Sequence, residues 1–484
     1  MNKLSNIAPI EVFRHFEKIT QIPHGSGNEK ALSDYILNFA KKLGLWAIQD
    51  ETDTLIIRKP ASAGYENSET VILQGHLDMV CEKNNDTVHD FLNDPLDLYI
   101  DEDWICAKGT TLGADNGIAI AYAMALMEGK DLAHPRLEFI LTTNEEAGMD
   151  GAKNLDPTYI TGTRLINLDS EDEGVFLSSC AGGMGVKARL YLEYVDIPSD
   201  YTCYKITLGG LRGGHSGLNI HEERGNANRL LGWLLSELQT SFLLADFAGG
   251  SKTNAIPREA WAAVFVKGDD LQGVTDELVT LTALLQKTLQ AGDELNVEIK
   301  PIDEADIYKN NAIKPEITEK LTTLLISLPS GVAGMSAEFP ELVETSSNLG
   351  VVHIADGQAV FAISIRSSVE SRKIFLANQI ESVATGFGAK FEKGGSYPGW
   401  QYNPSSQLRE VFLRTYKEMH GKDARVEGIH AGLECGLFAE KKAGLDMIAM
   451  GPDMRDVHSP DERLSISSTR RTWEFLLEAL KNLK

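Results

Sequence analysis

The sequence is poor in cysteine and in basic residues, and it has no long hydrophobic run. Five of its 484 residues are cysteine, and no two of them are spaced as C-x-x-C, which disfavours a disulfide framework and a thiolate zinc site. Acidic residues outnumber basic ones by 70 to 46, for a net charge of −24. Such a charge repels nucleic-acid phosphates and anionic membrane surfaces, so neither is expected as a partner.

Membrane insertion and export are disfavoured as well. The longest apolar run, residues 118–127, is about half the length that spans a bilayer. The first residues of the sequence contain no apolar signal core. We therefore expect a cytoplasmic protein whose few cysteines are reduced.

The length of the chain predicts more than one domain, because 484 residues exceed what one hydrophobic core usually serves. Four apolar runs, separated by helical stretches, predict the buried strands of a mostly parallel α/β sheet. They are residues 70–75, 137–143, 164–169 and 445–450. In such sheets ligands bind beyond the carboxyl ends of the strands.

The middle of the chain alternates strands and amphipathic helices in a different way. Within it, residues 254–297 are weakly echoed by residues 348–391. We therefore predict a catalytic α/β domain in two parts, residues 1–185 and 400–484, interrupted by an inserted α/β lid domain. The lid, residues 186–399, is either one unit or two related α/β units.

Polar residues that can bind metals follow these apolar runs or open a helix. They are His76, Asp78, Asp115, Glu145, Glu146, Asp169 and His458. Each has an ordinary structural explanation on its own, since a strand-end histidine is often structural and an aspartate at a helix start is usually a cap. Taken together they offer nitrogen and oxygen ligands suited to two Zn²⁺, Mn²⁺ or Co²⁺ ions, and not to iron–sulfur or copper–thiolate chemistry. Of two adjacent glutamates, one can bind metal while the other accepts a proton from water.

The motifs around these residues closely resemble those of a known family. GHLDMV, GADNG, TTNEEAG, NLDS and HSPDE occur in that order and are interrupted by an insertion. They resemble the di-zinc metallopeptidase family that includes carboxypeptidase G, aminoacylase and the dipeptidases. The resemblance extends over the whole chain, and TLGADNGIA and HAGLECGLF are most similar to its aminoacyl-histidine dipeptidase subgroup, which cleaves carnosine-like Xaa-His dipeptides.

The resemblance implies a role for each metal-site residue. His76 and Asp169 would hold one zinc ion, Glu146 and His458 the other, and Asp115 would bridge the two. Asp78 would orient a neighbouring ligand, and Glu145 would be the general base. The family also implies a non-proline cis peptide bond between Asp115 and Asn116.

Four residues of the later sequence are candidates for substrate contact. The resemblance implies that His215, in a glycine-rich turn, donates to the developing oxyanion, and that Arg366 binds the substrate carboxylate. Asn348 and Gly432 are further candidates. A loop histidine is by default a polar surface residue, and a strand-end arginine is as often an ordinary charge.

One residue departs from the family pattern: many relatives carry lysine two residues after the bridging aspartate, where this chain has Gly117. The ligand set is intact, but the substrate preference of those relatives is a weaker guide to that of this chain. We expect a di-zinc dipeptidase acting on a small Xaa-His dipeptide, with a homodimer left open. The alternatives are an N-deacylase or amidohydrolase of the same fold, and a non-catalytic binding protein. The presence of Glu145 beside the ligands disfavours the last.

Overall fold

The computed structural model describes residues 3–4, 6–302 and 311–484. The helices are α1 Ile10–Ile19, α2 Lys30–Lys42, α3 Ala114–Glu128, α4 Glu145–Gly148, α5 Asp150–Asn154, α6 Ala227–Glu237, α7 Leu271–Gln286, α8 Pro315–Ser327, α9 Glu370–Gly386, α10 Gln407–His420, α11 Cys435–Lys441 and α12 Ile466–Lys481. The strands of the first 200 residues are β1 Trp46–Gln49, β2 Leu55–Lys59, β3 Val71–His76, β4 Leu98–Asp101, β5 Trp104–Ala107, β6 Leu137–Thr142, β7 Arg164–Asn167, β8 Val175–Cys180, β9 Gly182–Tyr191 and β10 Tyr194–Asp196. The later strands are β11 Tyr201–Gly209, β12 Gly214–His215, β13 Phe242–Gly249, β14 Ala255–Ile256, β15 Ala260–Lys267, β16 Asn296–Pro301, β17 Asn311–Ile313, β18 Gly331–Met335, β19 Val343–Ala355, β20 Gln358–Ser367, β21 Lys390–Tyr397, β22 Arg425–Ile429, β23 Asp446–Ala449, β24 Met454–Arg455 and β25 Arg463–Ser465.

Two compact units make up the chain. Unit 1 extends to Ser179 and resumes over Tyr402–Gly428 and Leu433–Lys484, whereas unit 2 comprises Cys180–Gln401 and Ile429–Gly432. The chain therefore passes between units at residues 179/180 and 401/402, close to the expected boundaries at 185/186 and 399/400. The sequence analysis assigned Ile429–Gly432 to the catalytic domain, whereas the structure groups this segment with unit 2. The backbone N–H of Ala181 donates to the carbonyl oxygens of Ile429 and Ala431 and so ties this segment to unit 2.

Unit 1 is built on an eight-stranded sheet with the order β1-β2-β6-β3-β7-β23-β8-β22. Its central strands β6, β3, β7 and β23 are parallel to one another. Strands β1, β2 and β8 pair in the antiparallel sense. The predicted α/β fold with a parallel sheet is confirmed, and the parallel arrangement occupies its centre.

The apolar runs predicted as strands are buried on both faces, as parallel strands usually are. Every residue of β3 and of β6 is buried. Helices α1, α3, α10 and α12 contribute side chains to the same core, in which the rings of Tyr122 and Trp473 stack with centroids 5.7 Å apart. This packing fixes the strands and therefore the positions of the residues that follow them.

Unit 2 is built on an antiparallel sheet with the order β16-β11-β15-β13-β19-β20-β9-β21, to which β18 is added beside β19. Strands β11, β13, β15 and β16, with α6 and α7, form a split β-α-β arrangement. A second set, β9, β19, β20 and β21 with α8 and α9, has the same order of strands in the sheet. In the chain, the first set lies between β9 and α8 of the second. Residues 254–297 contribute to the first set and residues 348–391 to the second.

None of the helices in the described part of the chain has both the length and the apolar character needed to cross a bilayer.

Candidate metal centre

The carboxyl ends of the central parallel strands of unit 1 carry the predicted ligands. His76 is the last residue of β3, and Asp169 follows β7 by two residues. Glu145 and Glu146 open the short helix α4 just after β6. Because parallel strands end at the same edge of a sheet, their polar ends lie together there.

Two further residues reach this edge from elsewhere in unit 1. Asp115 lies in the first turn of α3, where its backbone is not helical (φ −81°, ψ 103°). His458 follows β24 and has a left-handed backbone, with φ at 61°. All five predicted ligands are thereby brought to one place.

The distances between ligand atoms divide the cluster into two halves. His76 Nε2 lies 3.1 Å from Asp115 Oδ1 and 3.5 Å from Asp169 Oδ1. His458 Nε2 lies 3.1 Å from Asp115 Oδ2 and 2.8 Å from Glu146 Oε1. The two oxygens of Asp115 thus face different histidines, as a carboxylate shared between two cations would.

The donor set fits divalent metal ions. The groups His76–Asp115–Asp169 and Asp115–Glu146–His458 each have ligand atoms within 4.8 Å of one another. Tetrahedral bonds of 2.0–2.1 Å, typical of zinc with nitrogen and oxygen ligands, place such atoms roughly 3.3 Å apart. A third group, His76 with Glu145 and Glu146, meets the same distance limit. The residues present therefore suit two divalent cations, with Asp115 common to both.

Asp78 connects His76 to the glutamate pair. Its carboxylate accepts hydrogen bonds from the backbone N–H of Glu145 at 2.9 Å and of Glu146 at 3.2 Å, and from the Ser26 hydroxyl at 2.8 Å. His76 Nδ1 lies 3.0 Å from the backbone oxygen of Asp78. A proton on Nδ1 satisfies that oxygen and leaves the Nε2 lone pair free for a metal. Asp78 thus contacts both His76 and the glutamate pair, the residues that the resemblance implies it would orient.

The peptide bond between Asp115 and Asn116 is cis, which confirms that expectation. The Asn116 side chain, which the sequence did not single out, is fully buried and joins the ends of two strands, β3 and β7. Its Oδ1 accepts from the backbone N–H of His76 at 3.2 Å, and its Nδ2 donates to Leu168 O at 3.0 Å and to Asp169 Oδ1 at 2.9 Å. Gly75 permits this approach, because a Cβ there would lie 2.5 Å from Asn116 Oδ1.

Glu462 is a second residue that the sequence analysis did not identify. Its buried carboxylate accepts hydrogen bonds from the backbone N–H groups of Leu112 (2.7 Å), Gly113 (3.0 Å), Ala114 (2.8 Å) and Asp115 (3.3 Å). It therefore holds the loop that presents Asp115. The only sequence signal was its place in HSPDE, four residues after His458.

Gly117, the departure from the family pattern, faces the core of unit 1. A Cβ at this position would lie 3.4 Å from Phe16 Cε2 and 3.6 Å from Ile19 Cγ2. Both distances are ordinary van der Waals contacts, so a Cβ fits here, but a lysine side chain would start among these apolar groups of α1.

Burial and mutual charge shift the pKa values of the ligands. The hydrogen bonds from Asp115 and Glu146 raise the pKa of His458 to about 11. Burial raises the pKa of Asp169 to about 6, against the charge of His76 and with the help of Asp115. Without cations the cluster therefore retains protons near neutral pH, and divalent ions would have to displace them.

The two non-ligand carboxylates differ in pKa. Burial raises the pKa of Asp78, but the hydrogen bond and charge of His76 outweigh it and hold that pKa at about 2. Burial, only partly offset by His76, raises the pKa of Glu145 well above its ordinary range. Asp78 is thus a fixed anion, whereas Glu145 is the more basic carboxylate and the better proton acceptor.

In unit 2, His215 and Arg366 lie side by side. His215 Nδ1 accepts from the backbone N–H groups of Gly217 at 3.3 Å and Leu218 at 3.1 Å, so the proton of the neutral ring is on Nε2. Nε2 lies 3.4 Å from Arg366 Nη2. Burial and the charge of Arg366 lower the pKa of His215. Two donors directed to one place suit an oxygen anion.

The other two substrate candidates have different surroundings. Asn348 is buried, and its Nδ2 donates to Thr253 O at 2.9 Å and Ala255 O at 2.7 Å, so its amide holds a loop of unit 2. Gly432 is half-buried at the end of the Ile429–Gly432 segment. The sequence did not identify His430 of the same segment, whose Nε2 lies 2.7 Å from the Ser346 hydroxyl.

Comparisons with known proteins give consistent similarities. A family model described as "Peptidase family M20/M25/M40" matches residues 72–482. The cytosol non-specific dipeptidase of Escherichia coli is 41% identical over 487 aligned positions, covering 100% of this chain and 99% of that protein. The aminoacylhistidine dipeptidase of Vibrio alginolyticus has a similar structure, with a TM-score of 0.90, 37% identity and coverage of 99% of this chain and 97% of that one. Aminopeptidase PepT of Bacillus cereus shares the fold at a TM-score of 0.57 and 15% identity, over 99% of each chain.

Proposed function

The chain belongs to the peptidase family M20/M25/M40, and from this premise we propose that it is a metal-dependent dipeptidase. We propose that it hydrolyses Xaa-His dipeptides of the carnosine type and uses two Zn²⁺ ions. One observation carries the proposal. The two oxygens of Asp115 face His76 and His458, and Glu145 stands beside this ligand set on a helix anchored by Asp78.

The metal ions, held by His76, Asp169, Asp115, Glu146 and His458, would supply Lewis acidity and lower the pKa of water. Glu145 takes a proton from the attacking water and returns it to the amine nitrogen of the leaving residue. Burial raises its pKa above the ordinary range, which makes it a stronger base than an exposed carboxylate. Asp78 holds the backbone of Glu145 in place during both steps.

For unit 2 we propose the roles that the resemblance implies. Arg366 binds the substrate carboxylate, and His215 donates its Nε2 proton to the oxygen of the scissile amide as negative charge develops there. The adjacent donors of these two residues support both roles. Asn348 and Gly432 stay candidates for substrate contact. The Nδ2 of Asn348 donates to the backbone oxygens of Thr253 and Ala255 and so also supports that loop.

The E. coli and Vibrio alginolyticus relatives have different names, since one is a non-specific dipeptidase and the other an aminoacylhistidine dipeptidase. Substrate preference is therefore the quantity to measure. For the location of the chain, the cytosolic relative supports the inference that it is cytoplasmic.

The test is a comparison of kcat/KM for β-Ala-His, Ala-His, Ala-Ala and N-acetylhistidine, with the metal content determined on the same sample. We expect metal-dependent hydrolysis of the first two, a smaller rate for Ala-Ala, and none for N-acetylhistidine. Preferential cleavage of N-acetylhistidine would establish the deacylase alternative. A chain that binds metal but cleaves none of the four would contradict the proposal.

A further inference from the structure

Glu434 is a buried carboxylate beneath the metal centre that plays no part in the mechanism above. It immediately precedes helix α11, and its side chain is 1% exposed. Burying a carboxylate is costly unless hydrogen bonds compensate for the lost water. Its partners therefore indicate what it does.

One oxygen of Glu434 joins two strands of the central sheet. Its Oε2 accepts hydrogen bonds from Gln74 Nε2 at 2.5 Å and from Thr142 Oγ1 at 2.6 Å. Gln74 lies in β3, two residues before His76, and Thr142 ends β6, three residues before Glu145. The bonds therefore cross-link the strand ends that lead to a ligand and to the general base.

The network extends to a third strand. Asn167 Nδ2 donates to Gln74 Oε1 at 2.6 Å, and Asn167 ends β7, two residues before Asp169. Gln74 and Asn167 are also register partners in the parallel pair β3–β7. A continuous set of buried hydrogen bonds thus passes under His76, Asp169 and the glutamate pair.

The second oxygen of Glu434 has no hydrogen-bond partner within the described ranges. Burial raises the pKa of this carboxylate to about 8. Oε2 alone therefore makes the two cross-links, and an amide oxygen in the same position could accept both.

We propose that Glu434 is a positioning residue that sets the spacing of the strand ends bearing His76, Asp169 and Glu145–Glu146, and thereby sets the metal affinity of the centre. It acts through the acceptor oxygen Oε2 and not by touching metal or substrate. The inference rests on the metal centre of the proposed function.

The experiment measures Zn²⁺ affinity of the metal-free full chain by competition with a chromophoric chelator, together with the melting temperature. Glu434→Ala removes the shared acceptor, and we expect affinity to fall about 10- to 100-fold, as for other residues that orient ligands. Glu434→Gln keeps an acceptor oxygen, and we expect its affinity to stay within about threefold of the original chain.

The matched control is Glu138, another fully buried carboxylate, at the opposite end of β6. It accepts from Thr161 and from Arg58. Glu138→Ala should lower the melting temperature and leave Zn²⁺ affinity unchanged. This separates a general loss of stability from a loss of ligand spacing.

Thr142→Val provides a second measurement should Glu434→Ala not fold. It deletes one of the two cross-links, so it should weaken metal binding in the same direction. Unchanged affinity in Glu434→Ala, or in Thr142→Val where the former does not fold, overturns the inference, as does a Gln variant as weak as the Ala variant. The proposed function fails separately, if the original chain binds Zn²⁺ but hydrolyses no dipeptide.

Discussion

Glu462 Oε1 accepts a hydrogen bond at 3.3 Å from the backbone N–H of Asp115, a residue 347 positions earlier in the chain. The same carboxylate also receives the three preceding N–H groups of that loop. Both oxygens are used, and each serves two donors. The orientation of Asp115 therefore depends on a full carboxylate at position 462.

Glu462→Gln should weaken metal binding by about tenfold or more. An amide has one acceptor oxygen, and its NH₂ group would face two of the backbone N–H groups, which also donate. Isothermal titration with Zn²⁺ measures the change. Asp103→Asn is the control, since Asp103 accepts from Ser465 and Ser467 close by without supporting a ligand loop. Equal metal affinity in the two variants would contradict the role given to Glu462.

The adjacent glutamates should separate metal binding from turnover. Glu145→Gln should retain metal and lose about 10²- to 10⁴-fold in kcat, because the amide cannot accept the proton. Glu146→Gln should lose metal affinity, since Glu146 Oε1 lies 2.8 Å from His458 Nε2. His76→Ala should also lose metal. Metal content and kcat are measured on each variant, and near-normal turnover in Glu145→Gln would assign the base to another residue.

Removal of metal should destabilise unit 1 in particular. Asp115, Asp169, Glu145 and Glu146 lie together there, and cations relieve their mutual repulsion. An ion present at 100 times its dissociation constant adds about 2.7 kcal/mol to the free energy of unfolding. Chelation should therefore lower the melting temperature, and added Zn²⁺ should restore it. The absence of any shift would mean that the folded chain does not bind the ion preferentially.

The sequence predicted the ligands because each apolar run is a strand with a defined end. Buried parallel strands are largely apolar, so polar residues at their carboxyl ends, such as His76 and Asp169, lie at the edge of the sheet where ligands bind. Strand direction was less predictable. Strand β2 has three buried apolar residues, yet it pairs with β6 in the antiparallel sense, since direction depends on connections and not on burial.

The supporting residues could not be predicted in the same way. Asn116, Glu434 and Glu462 bind partners 40 to 360 positions away, and nothing local distinguishes them from helix-start or surface residues. Their roles depend on tertiary contacts that only the folded chain provides. Asn348 also has distant partners, since its Nδ2 donates to the backbone oxygens of Thr253 and Ala255.

The pH dependence of stability should include a contribution from His430. Burial, together with the charges of Arg366 and His215, lowers its pKa to about 3, whereas the unfolded value is about 6.5. The unfolded chain then binds the extra proton between these values, so stability is lost as the pH falls below about 6.5. The loss from this residue is about 2 kcal/mol between pH 8 and pH 5.

His430→Asn isolates this contribution. Urea denaturation at pH 8 and pH 5 gives the free energy of unfolding of the original chain and of the variant. The variant should start lower, because the bond to Ser346 is lost, but should lose about 2 kcal/mol less over this range. Parallel losses in the two proteins would show that His430 is not held neutral.

Arg366 should recognise the carboxylate of the substrate through its guanidinium fork. Arg366 is 8% exposed, its Nε has no partner within the described ranges, and Nη2 lies 3.4 Å from His215 Nε2. Arg366→Lys keeps the charge and removes the bidentate geometry, so KM for Ala-His should rise about 10- to 100-fold, the equivalent of one charge-assisted hydrogen bond. For the amide of Ala-His, which has no carboxylate, the original KM should already be high and should change little.

Arg189→Lys on the neighbouring strand β9, where the arginine pairs with Glu392 at 3.1 Å, should leave both KM values unchanged. An equal loss for acid and amide would instead make Arg366 a structural residue of unit 2, because a group that binds the carboxylate must distinguish a substrate that has one from a substrate that does not.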